Sequence, residues 1–443
     1  MKRFSRRQAL AIGMGLSGAS VSGWFPAFAQ GVTDDPRRRR HCILLWMSGG
    51  PSQTDTFDMK PNHENGGEFK EISTNVPGLK FSEHLPKLAQ HADKMAVIRS
   101  LSTKEGDHGR GTHLMRTGHK PMGAIQWPAM GAALSKELGS PSEALPSYVS
   151  IAPYRAFNRQ AFGPGYLGPK YAPLVVGATD VGGPSSSNQS GDFAKLRVDS
   201  IEAPPGVSPG QMDERLEIWR QLQDGFVGKH QHSSVRAHET VYRSSVQLMN
   251  SKSADAFDLS GEPTKVREAY GKGMFGQGCL MARRLVEQGA SFVEVTLGSS
   301  TTGNFGWDTH NNNFEAVAAL SAELDNGWAT LMTELEERGL LESTTIMWMG
   351  EFGRTPQING AAGRDHFPQA WSSVLAGGGI AGGQAYGQTS PDGMNVEEGQ
   401  VGVEELLATL CSALGVPPDT ENIANTGRPL PIVDGSPIGK ILA

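Results

Sequence analysis

Two buried strands joined by one long helix constrain the fold of this chain more than any other feature of its sequence. The segments SFVEVTLG (291–298) and TTIMWMG (344–350) are largely apolar runs, typical of strands buried on both faces of a sheet. The region between them predicts an amphipathic helix that ends at Arg338 and Gly339, since apolar residues recur there at spacings of three and four. These residues are Phe314, Val317, Leu320, Leu324, Trp328, Leu331 and Leu335. A strand, a covering helix and a second strand predict a parallel sheet with helices on its faces.

Other segments extend this alternation along the chain. A short helix is predicted to begin at Ser82 and to lead into a strand. The further strands are predicted at 41–50, Met95–Leu101 and 147–153. The further helical segments are predicted near 110–118, 211–250 and 265–288. The predicted fold class is therefore α/β, with a mostly parallel central sheet flanked by helices.

Acidic residues and histidines follow four of the predicted strands. Ligands of open α/β sheets bind beyond the carboxyl ends of the strands, so we expect these side chains to share one edge. Carboxylates with imidazoles suit Zn²⁺, Mn²⁺ or Fe, whereas carboxylates with backbone oxygens suit Mg²⁺ or Ca²⁺. The pattern thus predicts a divalent metal ion at this edge. The residues are Ser48, Ser52, Asp55, Asp58, Asp107, His108, His113, Asp308, His310, Glu351, Arg354, Asp365 and His366.

Some of these features also have purely structural interpretations. Arg354 and Glu351 would form an ion pair that holds their loop, and Asp365 would cap a turn or the element after it. The glycine-rich segment 376–387 lacks the Lys-Ser/Thr ending of a phosphate-binding loop. It predicts a tight hairpin that passes close to other backbone.

Composition and charge exclude several classes of function. The 443 residues are 38% hydrophobic and 19% charged, which is typical of a soluble globular protein with a sizeable core. No stretch reaches the ~18 apolar residues of a membrane-spanning helix. The formal net charge is −6, and it falls to about −10 without the four basic residues of 1–29, so no nucleic-acid partner is predicted. Three cysteines in apolar contexts are predicted to be buried free thiols, namely Cys42, Cys279 and Cys411.

The first 29 residues have the pattern of a targeting segment. A basic start, a glycine-rich apolar middle and the small residues of Ala27-Phe28-Ala29 predict a signal peptide over 1–29. Ser5-Arg6-Arg7 followed by Leu10 resembles a twin-arginine export signal, although Gln8-Ala9 replace the usual aromatic residue. An ordinary secretory signal is the alternative. Either signal would place the protein in the periplasm, in the cell envelope or outside the cell.

The rest of the chain, 30–443, is predicted to be a single domain, because a large α/β sheet fills such a length alone. Residues at about 154–210 are rich in Gly, Pro, Ser and Asn and predict long surface loops inserted into this domain.

Four strings of the sequence resemble an exported bacterial family, the domain of unknown function 1501. They are ILLWMSGGPSQTDTFD, GWDTHNNNF, MGEFGRTPQING and GRDHFPQAWSSVLAGGGIAGGQAYGQT. The resemblance covers nearly the whole mature chain. It implies a fold similar to that of sulfatases and the wider alkaline phosphatase superfamily, whereas it implies function by analogy only.

The sulfatase pattern places His108 where those enzymes carry their nucleophile. Sulfatases have a Cys-x-Pro-Ser-Arg helix ending in Thr-Gly, and HGRGTHLMRTGHKP (108–121) is similar in layout. Counting back from Thr117-Gly118 puts His108 at the nucleophile position, with Arg110, Gly111 and Thr112 after it. Because neither Cys, Ser nor Thr stands at this position, formylglycine chemistry is not expected.

The resemblance also implies metal ligands. Glu351-Phe352-Gly353 replaces an Asp-His-Gly of the superfamily, and Ser48-Gly49-Gly50 replaces a ligand aspartate after the first strand. One metal site is supported by Asp308, His310 and His366 at matching places, and a second is lost or rebuilt around Glu351. The predicted metal ligands are Asp308, His310, Glu351, Asp365 and His366.

Together these features predict an exported metal-dependent hydrolase of a phosphate or sulfate ester, small or polymeric. His108 would act as general base or as covalent nucleophile, and Arg354 or Arg110 would hold the anionic group. The metal would be Zn²⁺, Mn²⁺, Mg²⁺ or Ca²⁺. The alternative is a non-catalytic binding or scaffold protein of the cell envelope on a former hydrolase fold, which the missing nucleophile favours. No oligomeric state is predicted.

Overall fold

A sheet of eight strands runs through the described part of the chain. The computed structural model describes residues 40–443 apart from 122, 140–144, 178–191, 199–205, 231–232, 250 and 299–304. The predicted signal peptide and part of the predicted inserted loops lie outside the described residues. The strands of the sheet are β1 (His41–Met47), β2 (Met95–Leu101), β3 (Tyr148–Ile151), β4 (Leu174–Val176), β5 (Phe292–Leu297), β6 (Thr344–Met349), β7 (Trp371–Gly377) and β8 (Gln384–Tyr386).

The order of the strands brings three predicted strand ends together. The order is β8-β2-β7-β6-β1-β5-β3-β4, and within this sheet only β7 is antiparallel to its neighbours. On β1, Trp46 is in register with Met349 of β6 and with Thr296 of β5. The carboxyl ends of β1, β5 and β6 therefore lie side by side. The predicted fold class, a mostly parallel α/β sheet, is confirmed.

Helices cover both faces of this sheet. Alternating side chains of β1 enter two separate cores, Ile43 and Leu45 on one face and Leu44 and Trp46 on the other. Helices α6 and α7 fill the first core, and α1, α2 and α8 fill the second. The helices that the structure describes are α1 (His108–Thr117), α2 (Met130–Leu138), α3 (Pro209–Lys229), α4 (Ser233–Met249), α5 (Thr264–Tyr270), α6 (Met274–Glu287), α7 (Asn313–Glu337) and α8 (Val403–Ala413).

The long helix predicted between β5 and β6 is α7. Six of its seven predicted apolar residues are fully buried, and Phe314 is partly buried against the same core. The last helical residue is Glu337, Arg338 is the C-cap, and Gly339 follows with a φ of 68°. A glycine adopts this left-handed conformation without strain, which explains why the helix ends there.

Two local predictions were wrong. Ser82 belongs to a short strand, Lys80–Ser82, rather than to a helix, and the helical turns before β2 span Leu88–Lys94. The segment 376–387 is not a hairpin, because β7 and β8 pair with opposite edges of β2 instead of with each other. Its close approach to other backbone is confirmed, since a Cβ at Gly379 would overlap the backbone of Ala413.

A two-stranded ladder extends the sheet edge where the polar residues gather. Gly353–Arg354 pairs antiparallel with His366–Phe367, and His366 is in register with Arg354. The loop after β6 thus returns to its own start. The other short ladders join Glu71–Ser73 with Lys80–Ser82, Gln388–Thr389 with Val396–Glu398, and Glu421–Ile423 with Pro429–Pro431.

The three cysteines are free and buried, as predicted. Burial raises the pKa of each thiol, so all three are held in the unreactive protonated form. Among the described residues, none of the helices combines the length and apolar character needed to cross a membrane.

Candidate metal centre

Three elements deliver four polar side chains to one point at the edge of the sheet. His108 is the first residue of α1, and the Asp107 side chain caps this helix by accepting from the Arg110 backbone N–H at 3.0 Å. Asp308 and His310 lie between β5 and α7, and His366 lies in the short ladder after β6. The positions of these four side chains therefore depend on the loops after β5 and β6 and on the first turn of α1.

An oxygen of Asp308 lies at the centre of this group. Asp308 Oδ1 is 3.3 Å from His108 Nε2, 3.1 Å from His310 Nε2 and 3.3 Å from His366 Nε2. The Nε2 atoms of His310 and His366 are 3.0 Å apart. Ligand atoms of His108, Asp308 and His366 all lie within 4.8 Å of one another. The group is called the histidine cluster below and consists of His108, Asp308, His310 and His366.

Each imidazole of the histidine cluster is held from behind through its Nδ1 atom. His108 Nδ1 is 2.7 Å from Glu351 Oε1, and His310 Nδ1 is 2.7 Å from Asp365 Oδ1. His366 Nδ1 is 2.8 Å from the Gly106 carbonyl oxygen. An acceptor at Nδ1 favours a proton on that nitrogen, which leaves the Nε2 lone pair facing the centre. This is the arrangement that orients histidines as metal ligands.

Gly49, in the turn after β1, supports the same arrangement. Its backbone N–H donates to Glu351 Oε1 at 2.9 Å, which fixes the carboxylate beside His108. Its φ is 107°, and a Cβ there would overlap the backbone of Asp308. A residue larger than glycine would therefore displace Asp308. Glycine at position 49 thus has a steric reason in this chain.

Arg354 is fully buried and bonds to Asp308 rather than to Glu351, so the expected Glu351–Arg354 ion pair is not the one formed. Its Nη2 is 2.5 Å from Asp308 Oδ1, and its Nε donates to the Gly50 carbonyl oxygen at 3.1 Å. The same guanidinium bonds to the Gly49 carbonyl oxygen. These contacts give Arg354 a structural role, because they leave no pair of exposed guanidinium N–H groups to bind an anionic substrate.

Arg110, the other predicted anion-binding residue, lies outside the histidine cluster. Its side chain is 58% exposed, and its Nε is 2.8 Å from Glu105 Oε2. The guanidinium is also 3.9 Å from Asp107 Oδ1. It would have to leave these two carboxylates before it could hold a substrate anion.

His108 and Asp308 shift each other's pKa in opposite directions. Burial alone would lower the pKa of His108, but hydrogen bonds with Asp308 and Glu351 outweigh it and raise the pKa to about 9. Burial would raise the pKa of Asp308, but hydrogen bonds from His108 and His366 and the charge of Arg354 hold it well below its usual range. The site therefore stabilises positive charge next to an ionised Asp308.

Glu351 Oε2 is buried without a hydrogen-bond partner, and the only polar contact of the buried His108 Nε2 among the described residues is Asp308 Oδ1 at 3.3 Å. The facing Nε2 atoms of His310 and His366 also repel each other unless a proton or a cation lies between them. Three imidazole nitrogens and one carboxylate oxygen form a donor set that suits Zn²⁺, Mn²⁺ or Fe better than Mg²⁺ or Ca²⁺. The residues present thus fit a transition-metal ion.

An aromatic wall that the sequence did not indicate stands beside the histidine cluster. Phe157 stacks on His108 with ring centroids 4.1 Å apart, and Tyr154 and Phe305 pack against Phe157. Burial and the nearby charge of Glu351 raise the pKa of Tyr154, so its hydroxyl stays protonated. Tyr154 and Phe157 follow β3 and Phe305 follows β5, and their positions in the sequence form no recognisable pattern. They come together only in the folded chain.

Other residues of the four predicted polar clusters serve the structure instead. Asp58 bonds to Lys60 at 3.0 Å, and His113 Nδ1 lies 2.9 Å from the His119 carbonyl oxygen. Asp55 forms a fully buried, bidentate ion pair with Arg364, at 2.8 and 2.9 Å. Arg364 directly precedes Asp365 and His366, so this pair anchors the loop that carries them.

A substitution at Gly363 is expected to disturb the histidine cluster through His310. A Cβ at Gly363 would overlap the carbonyl group of His310, whereas a Cβ at Gly360 would meet no atom within 4 Å. Gly363→Ala should therefore weaken metal binding by ~10-fold or more, as loss of a supporting contact does. Gly360→Ala is the matched control. Calorimetric titration of both variants with Zn²⁺ measures the difference, and equal affinities would contradict the expected role of His310.

The chain belongs to the family described as Protein of unknown function (DUF1501), whose family model matches residues 39–442. The resemblance predicted from the four sequence strings is thereby confirmed. No curated protein matches this chain.

Solved structures of a lipoteichoic acid synthase, a sulfatase and a phosphonate monoester hydrolase are similar to this one. The lipoteichoic acid synthase LtaP from Listeria monocytogenes has a TM-score of 0.40 and 9% identity, with 91% of this chain and 76% of that chain covered. The PsFucS1 sulfatase from Pseudoalteromonas sp. has a TM-score of 0.41 and 12% identity, covering 90% and 71%. The phosphonate monoester hydrolase of Agrobacterium radiobacter has a TM-score of 0.37 and 11% identity, covering 90% and 76%. These likenesses are distant, and the chemistry of this chain follows from its own residues.

Proposed function

We propose that this protein is a metal-dependent hydrolase of phosphate or sulfate esters. The observation that carries the proposal is the convergence of three imidazole Nε2 atoms on Asp308 Oδ1, each imidazole held by an acceptor at Nδ1. The ester class is carried over from the sulfatase-like resemblance of the sequence strings.

In this proposal the histidine cluster holds one divalent ion. Bound by these residues, a divalent ion would supply a Lewis acid for an ester oxygen and would lower the pKa of a water molecule. His108 then serves as a ligand, because Glu351 occupies its Nδ1 and its Nε2 faces Asp308. That assignment replaces the expected role of His108 as nucleophile or general base. The aromatic wall shields the reacting group from bulk water on the His108 side.

Glu351 and Asp365 are proposed to orient ligands rather than to bind the ion. Glu351 is fully buried behind His108, whereas Asp365 is 54% exposed behind His310. Glu351→Gln should weaken metal binding by ~10–100-fold, because an amide makes His108 a poorer ligand. Asp365→Asn should weaken it less, since water can replace an exposed acceptor. Titration with Zn²⁺ measures both, and a larger effect of Asp365→Asn would contradict this ranking.

The function is tested by metal analysis and ester hydrolysis on one preparation. The purified protein should contain a transition metal, and aryl phosphate or aryl sulfate hydrolysis should require that metal and vanish in His366→Ala. A metal-free protein whose activity equals that of His366→Ala would overturn the proposal. A protein that binds metal and ester without turnover would support the non-catalytic alternative.

Export is proposed from the N-terminal segment alone. Replacing Arg6 and Arg7 together by lysine should retain the protein in the cytoplasm if the signal is of the twin-arginine type. Fractionation with an antibody against the chain measures this. Undiminished export of the Lys variant would favour the ordinary secretory signal.

A further inference from the structure

The helical hairpin of α3 and α4 carries most of the exposed apolar surface of the described chain. Seven large hydrophobic side chains of the described residues are markedly exposed, and five of them lie on these two helices. In α3 they are Ile218, Leu222 and Phe226, which are 59%, 70% and 48% exposed. In the hairpin, Leu248 is the single side chain that is buried among those described. None of the described side chains of the 21-residue helix α3 is buried, which is unusual for a helix of a globular protein.

The three apolar residues of α3 form a continuous stripe. Their spacing of four residues places successive members ~40° apart around the helix, at about 100° per residue, so the stripe spans ~80°. On the adjoining side, Trp219 stacks on Tyr242 of α4 with ring centroids 4.9 Å apart. Val241 and Tyr242 are 41% and 44% exposed. The apolar surface thus continues from α3 towards α4, with the aromatic pair at its edge.

The two charged side chains nearest to Leu222 around α3 are both positive, whereas Glu214 lies about 40° from Ile218 at the edge of the stripe. Arg215 and Lys229 lie within ~20° of Leu222 around α3, one towards each end of the stripe, and both are exposed. The acidic residues of α3 lie about 80° or more from Leu222, on its flank and far side. These acidic residues are Asp213, Glu214, Glu217 and Asp224. An apolar stripe with cations at both ends and no acid within it is the pattern of a helix that lies on an anionic membrane surface.

A second copy of the chain fits this stripe less well. An antiparallel pairing of two copies centred on Leu222 would bring Arg215 of one copy against Lys229 of the other at both ends. Like charges placed opposite each other oppose association. In contrast, a lipid surface accepts the apolar side chains between its headgroups while Arg215 and Lys229 extend to the phosphates.

We infer that the α3–α4 hairpin docks this protein onto an anionic lipid surface through Ile218, Leu222 and Phe226. The inference is independent of the proposed function, since none of these residues belongs to the histidine cluster. Because the contact combines apolar burial with exposed charges, binding should weaken with added salt.

Vesicle flotation of the purified full chain tests the inference. The protein should float with vesicles that contain about one third phosphatidylglycerol and should float much less with pure phosphatidylcholine vesicles. The double variants Leu222→Ser/Phe226→Ser and Arg215→Glu/Lys229→Glu should each bind about tenfold more weakly. Ile423→Ser is the matched control, because Ile423 is 64% exposed and lies outside the hairpin. Every variant keeps residues 1–29, so differences among them come from the substituted sites.

Several outcomes would overturn the inference. They are flotation independent of lipid charge, flotation that neither double variant changes, and no flotation at low salt. A concentration-dependent dimer that Leu222→Ser dissociates, without vesicle binding, would assign the stripe to a second copy. Unchanged thermal unfolding of the variants shows that they are folded, as expected for exposed substitutions.

Discussion

Asp308→Ala is expected to abolish metal binding in this protein. Asp308 Oδ1 is the atom on which the three imidazoles converge, and Arg354 bonds to the same oxygen. Its removal takes away the negative charge that balances these groups, so the loss in affinity should exceed the ~10–100-fold expected for a supporting residue such as Glu351. Metal content after dialysis, and Zn²⁺ titration, measure the effect.

Two further variants make this prediction specific. Asp308→Asn keeps the shape of the side chain and removes its charge, so it separates electrostatics from packing. Asp419→Ala removes an exposed acid and should keep the wild-type metal content. Full metal content in Asp308→Ala would show that the histidines alone bind the ion or that the site lies elsewhere.

Asp55→Ala is expected to destabilise the fold by ~3–5 kcal/mol, because it leaves the guanidinium of Arg364 buried without its counter-charge. Both partners are fully buried, and Asp55 also accepts from Asn313 Nδ2 at 2.8 Å. Urea unfolding measures the loss. Glu71→Ala is the control: it breaks the exposed Lys80–Glu71 pair and should cost about 0–1 kcal/mol.

A double variant separates the charge from the packing of this buried pair. Asp55→Leu/Arg364→Met should recover part of the stability, since a buried ion pair is replaceable by apolar groups of similar volume. Recovery should be incomplete, because Arg364 also donates to the Asn65 carbonyl oxygen at 3.0 Å. A stability of Asp55→Ala close to wild type would show that water reaches Arg364.

The sheet edge was predictable from the sequence because it follows from periodicity. Parallel strands share the direction of their carboxyl ends, so residues after β5 and β6 had to meet at one edge. This rule put Asp308, His310 and His366 among the candidates, the superfamily resemblance singled them out as ligands, and the structure places them together. The division of roles within the site depends on side-chain directions, which periodicity does not encode. Glu351 follows β6 directly, yet it lies behind His108 rather than at the centre.

The remaining differences arise from contacts between distant segments. The Gly106 carbonyl oxygen that orients His366 belongs to the backbone, which any residue would supply. Asp55 followed a strand like the predicted ligands, but its partner Arg364 lies 309 positions away. The segment 376–387 was predicted to turn back on itself, and instead β2 lies between its two strands. Non-local pairing of this kind overrides a local turn signal.

The site depends on the register of the ladder between Gly353–Arg354 and His366–Phe367. Neighbouring residues of a strand face opposite sides, so a slip of one residue would exchange His366 for Phe367. An insertion of one residue near this ladder would then put a phenyl ring in the place of the His366 imidazole, which is proposed above as a metal ligand. This chain would therefore lose the proposed metal site by a change in length alone, without substitution of a single proposed ligand.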